Sequence, residues 1–193
     1  LQLGLGAGAL TRYCLSRCKG SQVTVVEIAS EVIETAHDWF HLPRREPRLK
    51  VVHASALEFL AKPQEGRRYS VLQVDLYDMH ARGPVLDSLE FYRACRGVMT
   101  EPGICVVNLF GEHATFAPNL SRISRAFDGR TLTLPPTPEG NQIVFAFNGP
   151  ALEVPWQSLI ERAARMKQDY ELPAQKWVLS FRAQMAGATQ FSI

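Results

Sequence analysis

The chain has 193 residues, of which 46% are hydrophobic, and this is enough to bury a full core within one domain of ordinary size. Its formal net charge is +2, and its basic residues are scattered apart from short clusters at 44–45 and 67–68, which we interpret as solvated loops. This distribution gives no electrostatic footprint for nucleic acid. No run of about 18 consecutive apolar residues is present, and no basic region precedes the apolar opening, so the sequence predicts neither a membrane span nor a signal peptide.

The first ten residues form an apolar run that is interrupted at alternate positions by Gly4, Gly6 and Gly8. This pattern predicts a strand, a tight turn and a helix that begins near Gly8. Glycine allows backbone angles that a Cβ would forbid and lets a ligand approach the main chain, while the first turn of a helix offers free N–H groups. The stretch therefore predicts a cradle for a nucleotide-type ligand. Because the sequence starts directly on a strand, we expect that residues upstream are missing from view.

The second predicted strand, residues 22–27, is rich in β-branched residues and ends in Glu27. An acid at the end of this strand, about 20 residues beyond the glycines, is where α/β folds commonly accept hydrogen bonds from ribose hydroxyls. The glycines and Glu27 together therefore favour a cofactor site.

The rest of the sequence continues the alternation of helices and strands. A helix from Ala29 or Ser30 has an apolar face that includes Trp39 and Phe40, and it ends at Pro43. Further strands are predicted at 49–53, 69–75, 104–110, 130–134 and 142–147, the last two as an antiparallel hairpin. Further helices are predicted from Ser55, from Asp87 or Ser88 to about 98, over about 118–127, and over about 155–170, with a turn at 101–103 and a less regular tail beyond 173.

These elements predict an α/β fold with a Rossmann-like, seven-stranded, mostly parallel sheet and an antiparallel hairpin at one edge. We expect residues 1–150 to form the catalytic, cofactor-binding domain and residues 151–193 to form a helical extension that packs on it. Ligands of such sheets bind outside the carboxyl ends of the strands. The glycine turn, Glu27 and Asp75 all fall at that edge.

The cysteines at 14, 18, 95 and 105 lack the paired spacing of a zinc site, and a chain of this size needs no disulfide framework. Free thiols in a reducing compartment are therefore expected, which makes the cytoplasm the default location. His37 and His41 are four residues apart on a predicted helix, yet no third ligand accompanies them. We assign no metal site.

Seven segments match one known family in order and spacing. They are Val-Val-Glu-Ile at 25–28 with Glu-Val-Ile-Glu at 31–34, Arg-Leu-Lys-Val-Val at 48–52 with Leu-Glu-Phe-Leu at 57–60, Val-Asp-Leu-Tyr-Asp at 74–78, Glu-Phe-Tyr at 90–92 and Pro-Gly-Ile at 102–104. From Leu1 to about Gly149 the chain resembles the class I S-adenosylmethionine-dependent transferases, and within them the spermidine synthase (polyamine aminopropyltransferase) family.

The resemblance implies transfer of an aminopropyl group from decarboxylated S-adenosylmethionine, or a related use of S-adenosylmethionine, to a diamine such as putrescine. It implies that Glu27 holds the ribose, that Ile28 packs on the adenine, and that Ser55 and Ala56 border the adenine. It further implies that Asp75 adjoins the cofactor and, with Asp78, faces the reacting amine. A homodimer that uses no metal and binds no nucleic acid is expected.

Three positions depart from the family pattern. The glycine turn carries Ala7 where the family has an aspartate, Ser55 replaces an adenine-side aspartate, and Asn108 replaces a glutamine at the end of the fifth strand. Each change removes a polar contact.

Alternatives remain open. Asp75 and Asp78 could be loop acids that cap a turn, and Tyr77 could stack on substrate or pack under its own loop. A small-molecule methyltransferase would share the cradle and Glu27, and a non-catalytic member would keep the fold as a binding or dimerisation module.

Overall fold

The computed structural model describes residues 1–62, 66, 68–77 and 85–193. Strands and helices alternate along most of this range, as the sequence predicts. The strands of the main sheet are β1 (Gln2–Leu3), β2 (Val23–Glu27), β3 (Leu49–His53), β4 (Tyr69–Val74), β5 (Met99–Phe110), β6 (Thr131–Thr133) and β7 (Asn141–Asn148). The helices between them are α1 (Ala9–Arg17), α2 (Ser30–Asp38), α3 (Ala56–Ala61), α4 (Leu89–Gly97) and α5 (Phe116–Ala126).

The main sheet has the strand order β3-β2-β1-β4-β5-β7-β6. Strands β1 to β5 pair in parallel, whereas β7 pairs antiparallel with both β5 and β6. The predicted seven-stranded, mostly parallel α/β fold with an antiparallel pair at one edge is therefore confirmed. The order of connections reverses between β1 and β4, which is the point where open α/β sheets bind ligands.

The two faces of the sheet are covered by different helices, which explains why the central strands are apolar without alternation. On one face, Val26 lies in a cluster with side chains of α3, α4 and α5, among them Phe91 and Ile123. On the other face, Val25 lies in a cluster with Leu15 of α1 and Ala36 of α2. Successive strand residues thus pack against helices on opposite faces of the sheet. Each large buried side chain contributes about 1.5–3 kcal/mol of hydrophobic stabilisation.

The expected apolar face of α2 is partly wrong. The helix ends at Asp38, and the next two side chains remain in solvent, with Trp39 78% and Phe40 41% exposed. His41 has a positive φ of 56°, which reverses the chain and allows Leu42, only 2% exposed, to fill the core instead. The helical pattern therefore continues in the sequence beyond the point where the backbone leaves the helix.

The predicted turn at 101–103 lies within β5. Tyr69 of β4 pairs with Met99, and two residues later Val71 pairs with Ile104, so that five steps along β5 face two steps along β4. The extra residues are accommodated as a bulge. A proline and a glycine therefore interrupt the pairing here without ending the strand.

The region beyond Gly149 is more regular than the sequence predicts. It contains β8 (Glu153–Pro155), α6 (Trp156–Tyr170), α7 (Ala174–Gln184) and β9 (Gln190–Ser192), and β8 pairs antiparallel with β9. The rings of Trp156 and Phe191 meet edge to face at 5.9 Å, and the Trp156 indole N–H donates to the Ala188 carbonyl at 3.0 Å. Trp156, Trp177 and Phe181 all pack in this cluster.

The C-terminal cluster also reaches the main sheet, because Leu132 of β6 and the β7 residues Phe145 and Phe147 pack within it. Among the described helices, none combines the length and apolar character needed to cross a membrane.

Candidate active site

The predicted site residues follow three neighbouring strands at one edge of the sheet. Leu3 of β1 lies opposite both Val26 of β2 and Val74 of β4, so Gly4, Glu27 and Asp75 each come one residue later. The main chain continues this alignment, because the Gly4 N–H donates to the Val26 carbonyl and the Asp75 N–H to the Leu3 carbonyl, both at 2.9 Å. With strands about 4.8 Å apart, these three residues form a contiguous row at the carboxyl edge.

Gly4 is required by the close contact between β1 and β4. Its φ is 94°, and a Cβ at this position would lie 2.1 Å from the Asp75 carbonyl oxygen. No side chain can be accommodated there, because the obstacle is backbone. Gly4 therefore places the start of the turn directly against Asp75.

The rest of the turn lies open on its outer side. Gly6 has a φ of 52°, and a Cβ built on it would meet nothing within 4 Å. Gly8 has a φ of 68° and precedes the first residue of α1, and its N–H donates to the Leu5 carbonyl at 3.0 Å. Ala7 is exposed between them. The turn thus combines left-handed backbone, open space and the beginning of a nine-residue helix, which is suitable for a ligand that contacts the main chain.

The carboxylate of Glu27 is held by three backbone N–H groups. One oxygen accepts from Leu5 at 2.9 Å, and the other accepts from Ile28 at 2.9 Å and Ala29 at 3.0 Å. A carboxylate has about four acceptor positions, so about one remains for a further donor. Glu27 therefore links the glycine turn to the end of β2 while keeping some capacity for a hydroxyl group.

The predicted adenine-side residues follow the ends of β2 and β3, which pair at Glu27 and His53. Ile28 is 67% exposed and offers an apolar surface on which a flat ring could pack. Ser55 precedes α3 without capping it through its hydroxyl group, and Ala56 is 7% exposed. The His53 ring lies 3.0 Å from the Ile28 carbonyl, which ties the end of β3 to this region.

Asp75 is exposed at the end of β4 and is held from the neighbouring strand. The Asn108 amide nitrogen donates to an Asp75 carboxylate oxygen at 3.0 Å. The buried Asn108 amide oxygen has no hydrogen-bond partner among the described residues. The Asn108 carbonyl accepts from the Tyr77 hydroxyl at 3.0 Å. Asp78, the second predicted acid, lies outside the described residues.

Tyr77 packs against the end of the neighbouring strand β5. Its ring meets that of Phe110 edge to face at 5.1 Å. Burial, with a smaller contribution from the charge of Asp75, raises the pKa of Tyr77 to about 12. The phenol therefore stays protonated at neutral pH and acts as a donor to Asn108.

Sequence reasoning named Asn108 only as a departure from a family pattern, and it left the role of Tyr77 open. The sequence does contain a signal that Asn108 and Tyr77 lie close together. Both residues lie at or just beyond the ends of β4 and β5, and these strands were predicted to end at the same edge of the sheet. Among the residues that the structure describes, no group of three or more His, Cys, Asp or Glu side chains could hold a metal ion.

No protein-family model matches the chain. In sequence it is similar to the polyamine aminopropyltransferase of Neisseria meningitidis, with 27% identity over 182 residues, which cover 94% of this chain and 68% of that relative. It is also similar to the eEF1A lysine and N-terminal methyltransferase of Homo sapiens, with 22% identity over 187 residues, which cover 92% of this chain and 27% of that relative.

Solved structures similar to this chain also include both a methyltransferase-like protein and a spermidine synthase. Human methyltransferase-like protein 13 in complex with SAH has a TM-score of 0.76 and 22% identity, with 89% of this chain and 81% of that chain covered, so it establishes the fold alone. A spermidine synthase in complex with the transition-state analogue AdoDATO has a TM-score of 0.66 and 26% identity, with 77% of this chain and 54% of that chain covered.

The fold and these relatives define a class: the protein is a transferase built on the methyltransferase-type fold. Within that class the chain resembles the polyamine aminopropyltransferases, including spermidine synthases, and the resemblance first seen in its motifs is confirmed.

Proposed function

We propose that the protein transfers an aminopropyl group from decarboxylated S-adenosylmethionine to a diamine such as putrescine. The observation that carries this proposal is the position of Asp75, whose backbone contacts Gly4 of the open turn and whose carboxylate is held by Asn108. A group that accepts a proton thus lies beside the cradle proposed for the alkyl donor. The name of the Neisseria relative supports the same reaction.

The residues around the turn fit an adenosine-bearing sulfonium. In this proposal the sugar lies over the open space at Gly6, with one hydroxyl group donating to the remaining acceptor position of Glu27. The adenine packs on the exposed Ile28 side chain, near Ser55 and Ala56. The complex of a spermidine synthase with AdoDATO supports a ligand of this type.

The chemistry requires a carboxylate but no metal. An amine is mostly protonated at neutral pH and cannot attack carbon in that form. Asp75 accepts a proton from the ammonium, and the freed nitrogen pair forms a bond to the carbon attached to sulfur. The carbon–sulfur bond breaks, its electron pair remains on sulfur, and a neutral thioether leaves. Asn108 orients Asp75 for this transfer, and we assign to Asp78 the distal ammonium of the diamine.

A second candidate is methylation of an amine nitrogen by ordinary S-adenosylmethionine. The similarity to the human eEF1A lysine and N-terminal methyltransferase over 92% of the chain favours it, as does Ala7 in the turn. The two candidates share deprotonation of an amine beside a sulfonium, and they differ in the group transferred.

The test measures turnover of putrescine with decarboxylated S-adenosylmethionine, and of small amines with S-adenosylmethionine, on wild type and on Asp75→Asn. We expect aminopropyl transfer by the wild type and a loss of about 10²–10⁴ in kcat for Asp75→Asn, because the substitution removes the base but keeps its size. Methylthioadenosine should bind both proteins equally. Asp169→Asn, an exposed change on α6, serves as the charge-matched control. Turnover by Asp75→Asn at the rate of the wild type would contradict the proposal.

We further propose that residues 1–150 form the catalytic domain, that residues 151–193 form an extension, and that the enzyme is a cytoplasmic homodimer. Leu152 and Leu179 support a subunit contact through the extension, because they are 44% and 61% exposed. The four cysteines are free, which is consistent with a reducing compartment. Light scattering during gel filtration tests the oligomeric state, and a monomer at all concentrations would exclude the dimer.

A further inference from the structure

A cavity of about 740 Å³ lies at the amino edge of β4 and β5, opposite the candidate active site. Its wall includes Arg68 before β4, Thr100 near the start of β5 and Asn148 at the end of β7. The six residues of β4 separate this edge from Asp75 by about 20 Å, at about 3.3 Å per residue. The cavity is therefore a separate feature from the cofactor cradle.

The lining of the cavity is rich in arginine. Four arginines, contributed by α4, α5 and the segment before β4, face two carboxylates, so the lining has a net charge of +2. These residues are Arg68, Arg93, Arg96, Arg125, Glu101 and Asp128. The formal net charge of the whole chain is also +2, so the residues outside the lining sum to a formal charge of zero.

Two of the four arginines have structural roles. The Arg68 guanidinium donates to the Gly97 carbonyl at the end of α4. Arg96 donates to the Ala126 carbonyl at the end of α5 at 3.0 Å, and it pairs with Asp128 at 2.7 Å. This pairing lowers the pKa of the Asp128 carboxyl group. Both side chains satisfy carbonyls at helix ends, which have no intrahelical partner.

Arg93 and Arg125 differ from them. Both are exposed, and within the described part of the chain neither makes a hydrogen bond or ion pair. They project from different helices, Arg93 from α4 and Arg125 from the last turn of α5, yet they line the same cavity. Two unpaired guanidinium groups, beside two that are held by carbonyls at helix ends, can receive an anion without breaking a contact among the described residues.

We propose that this cavity binds a small molecule that carries a phosphate or pyrophosphate group, with Arg93 and Arg125 as its main contacts. Guanidinium forks bind phosphate oxygens in pairs and are more suitable than lysine for this geometry. The volume lies within the range of about 300–1,000 Å³ that is typical of small-molecule sites, so it has room for an organic part besides the anion. The site is independent of the proposed transferase activity.

The test is calorimetric titration of the 193-residue chain with inorganic pyrophosphate and, separately, with glucose 6-phosphate, at constant ionic strength. We expect saturable binding of at least one of them, weakened about tenfold or more in the double variant Arg93→Gln/Arg125→Gln. The compound that binds more tightly shows whether free pyrophosphate or a phosphate ester is the better ligand. Thermal unfolding should show that the variant is folded.

The matched control is Arg162→Gln/Arg165→Gln, which removes the same charge from exposed positions of α6. We expect it to bind like the wild type. Equal weakening in both double variants would overturn the proposal, because it would indicate general electrostatic attraction. A lack of binding of both pyrophosphate and glucose 6-phosphate would also overturn it. Binding of an oligonucleotide alone, in a further titration, would count as the same outcome. Methylthioadenosine titrations on the same variants should be unchanged, which separates this proposal from that for the active site.

Discussion

At the residue scale, Glu27 combines a structural role with its proposed role in ligand binding, and the sequence pattern predicts only the second. Its carboxylate holds the backbone of Leu5, Ile28 and Ala29, and it is also the acid proposed to bind a ribose hydroxyl group. Replacement of this side chain should therefore change the protein even when no ligand is present.

For Glu27→Gln we expect the free energy of unfolding to fall by about 1–3 kcal/mol without ligand, because an amide NH₂ group would face backbone N–H donors. Methylthioadenosine should bind about tenfold or more weakly. Urea unfolding and calorimetry measure the two effects. Glu58→Gln, an exposed change on α3, is the control. A ligand-free variant as stable as the wild type would show that the three hydrogen bonds contribute little.

Ala7 is the residue for which a single substitution should change cofactor preference. Decarboxylated S-adenosylmethionine lacks the carboxylate of the ordinary compound, and a carboxylate in the turn would attract its ammonium and repel the carboxylate. Ala7 is exposed and does neither. We expect the wild type to discriminate poorly, and Ala7→Asp to shift preference about tenfold towards the decarboxylated form, through a contact of about 1–2 kcal/mol.

Competition binding of both compounds to both variants measures this preference. Strong selectivity of the wild type for the decarboxylated form would contradict the expectation and would assign the discrimination to Asp75. An unchanged preference in Ala7→Asp would show that the amino acid end of the cofactor lies away from the turn.

At the scale of elements, the C-terminal segment forms its own apolar cluster around Trp156 and Phe191, in which side chains of β6 and β7 also pack. The Gln184 side chain adds a polar link by donating to the Thr133 carbonyl at 2.7 Å. The segment therefore packs on β6 and β7 at one edge of the sheet, and its Glu171 reaches Arg17 at the end of α1, at 3.8 Å.

Phe191→Ala should destabilise this cluster by about 3–5 kcal/mol, because a large buried ring is removed at 4% exposure. Methylthioadenosine binding should persist in the folded protein, since the cradle lies on other strands. Denaturant unfolding and calorimetry test both statements. Lys176→Ala, at an exposed position of α7, should change stability little. Loss of ligand binding in folded Phe191→Ala would show that the segment supports the active site.

The sequence predicted the β-α alternation well because each strand from β2 to β4 is a short β-branched or apolar run that ends in a polar residue. It did not predict α7 or β9. Pro173 precedes α7 without a side-chain cap, and β9 has only three residues, too few for a periodicity. Trp39 illustrates the opposite error, because its spacing matches the apolar face of α2 although the helix has already ended.

The sequence predicted which residues of the candidate site lie next to one another, but not the hydrogen bonds between them. Strand ends were enough to bring Gly4, Glu27 and Asp75 together. The contacts of Glu27 with backbone N–H groups, and of Asn108 with Asp75, depend on side-chain directions that no spacing encodes.

At the scale of the whole molecule, the stability of the fold at alkaline pH depends on phenols buried in it. The pKa of Tyr77 is raised to about 12 by burial and by Asp75, and burial also raises that of Tyr92. An unfolded tyrosine loses its proton near pH 10, so the folded state binds more protons between about pH 10 and 12. The free energy of unfolding should therefore be unaffected by these groups below about pH 10 and decrease above it.

Tyr77→Phe should reduce this decrease, since one of the two shifted groups is removed. Urea unfolding over a series of alkaline pH values measures the slope for both proteins. The remaining slope in the variant includes the contribution of Tyr92. Identical slopes in the two proteins would show that Tyr77 titrates alike in the folded and unfolded states.

The contact between Gly4 and Asp75 has a consequence for how such enzymes diversify. At position 75 it involves backbone atoms, so it forbids a side chain at position 4 but sets no condition on the side chain at position 75. Descendants of this chain could therefore exchange the acid for another reactive group while inheriting the backbone of the proposed donor pocket. Libraries randomised at position 75 with Gly4 fixed should consequently yield folded variants that accept new nucleophiles, whereas libraries randomised at position 4 should yield mostly unfolded ones.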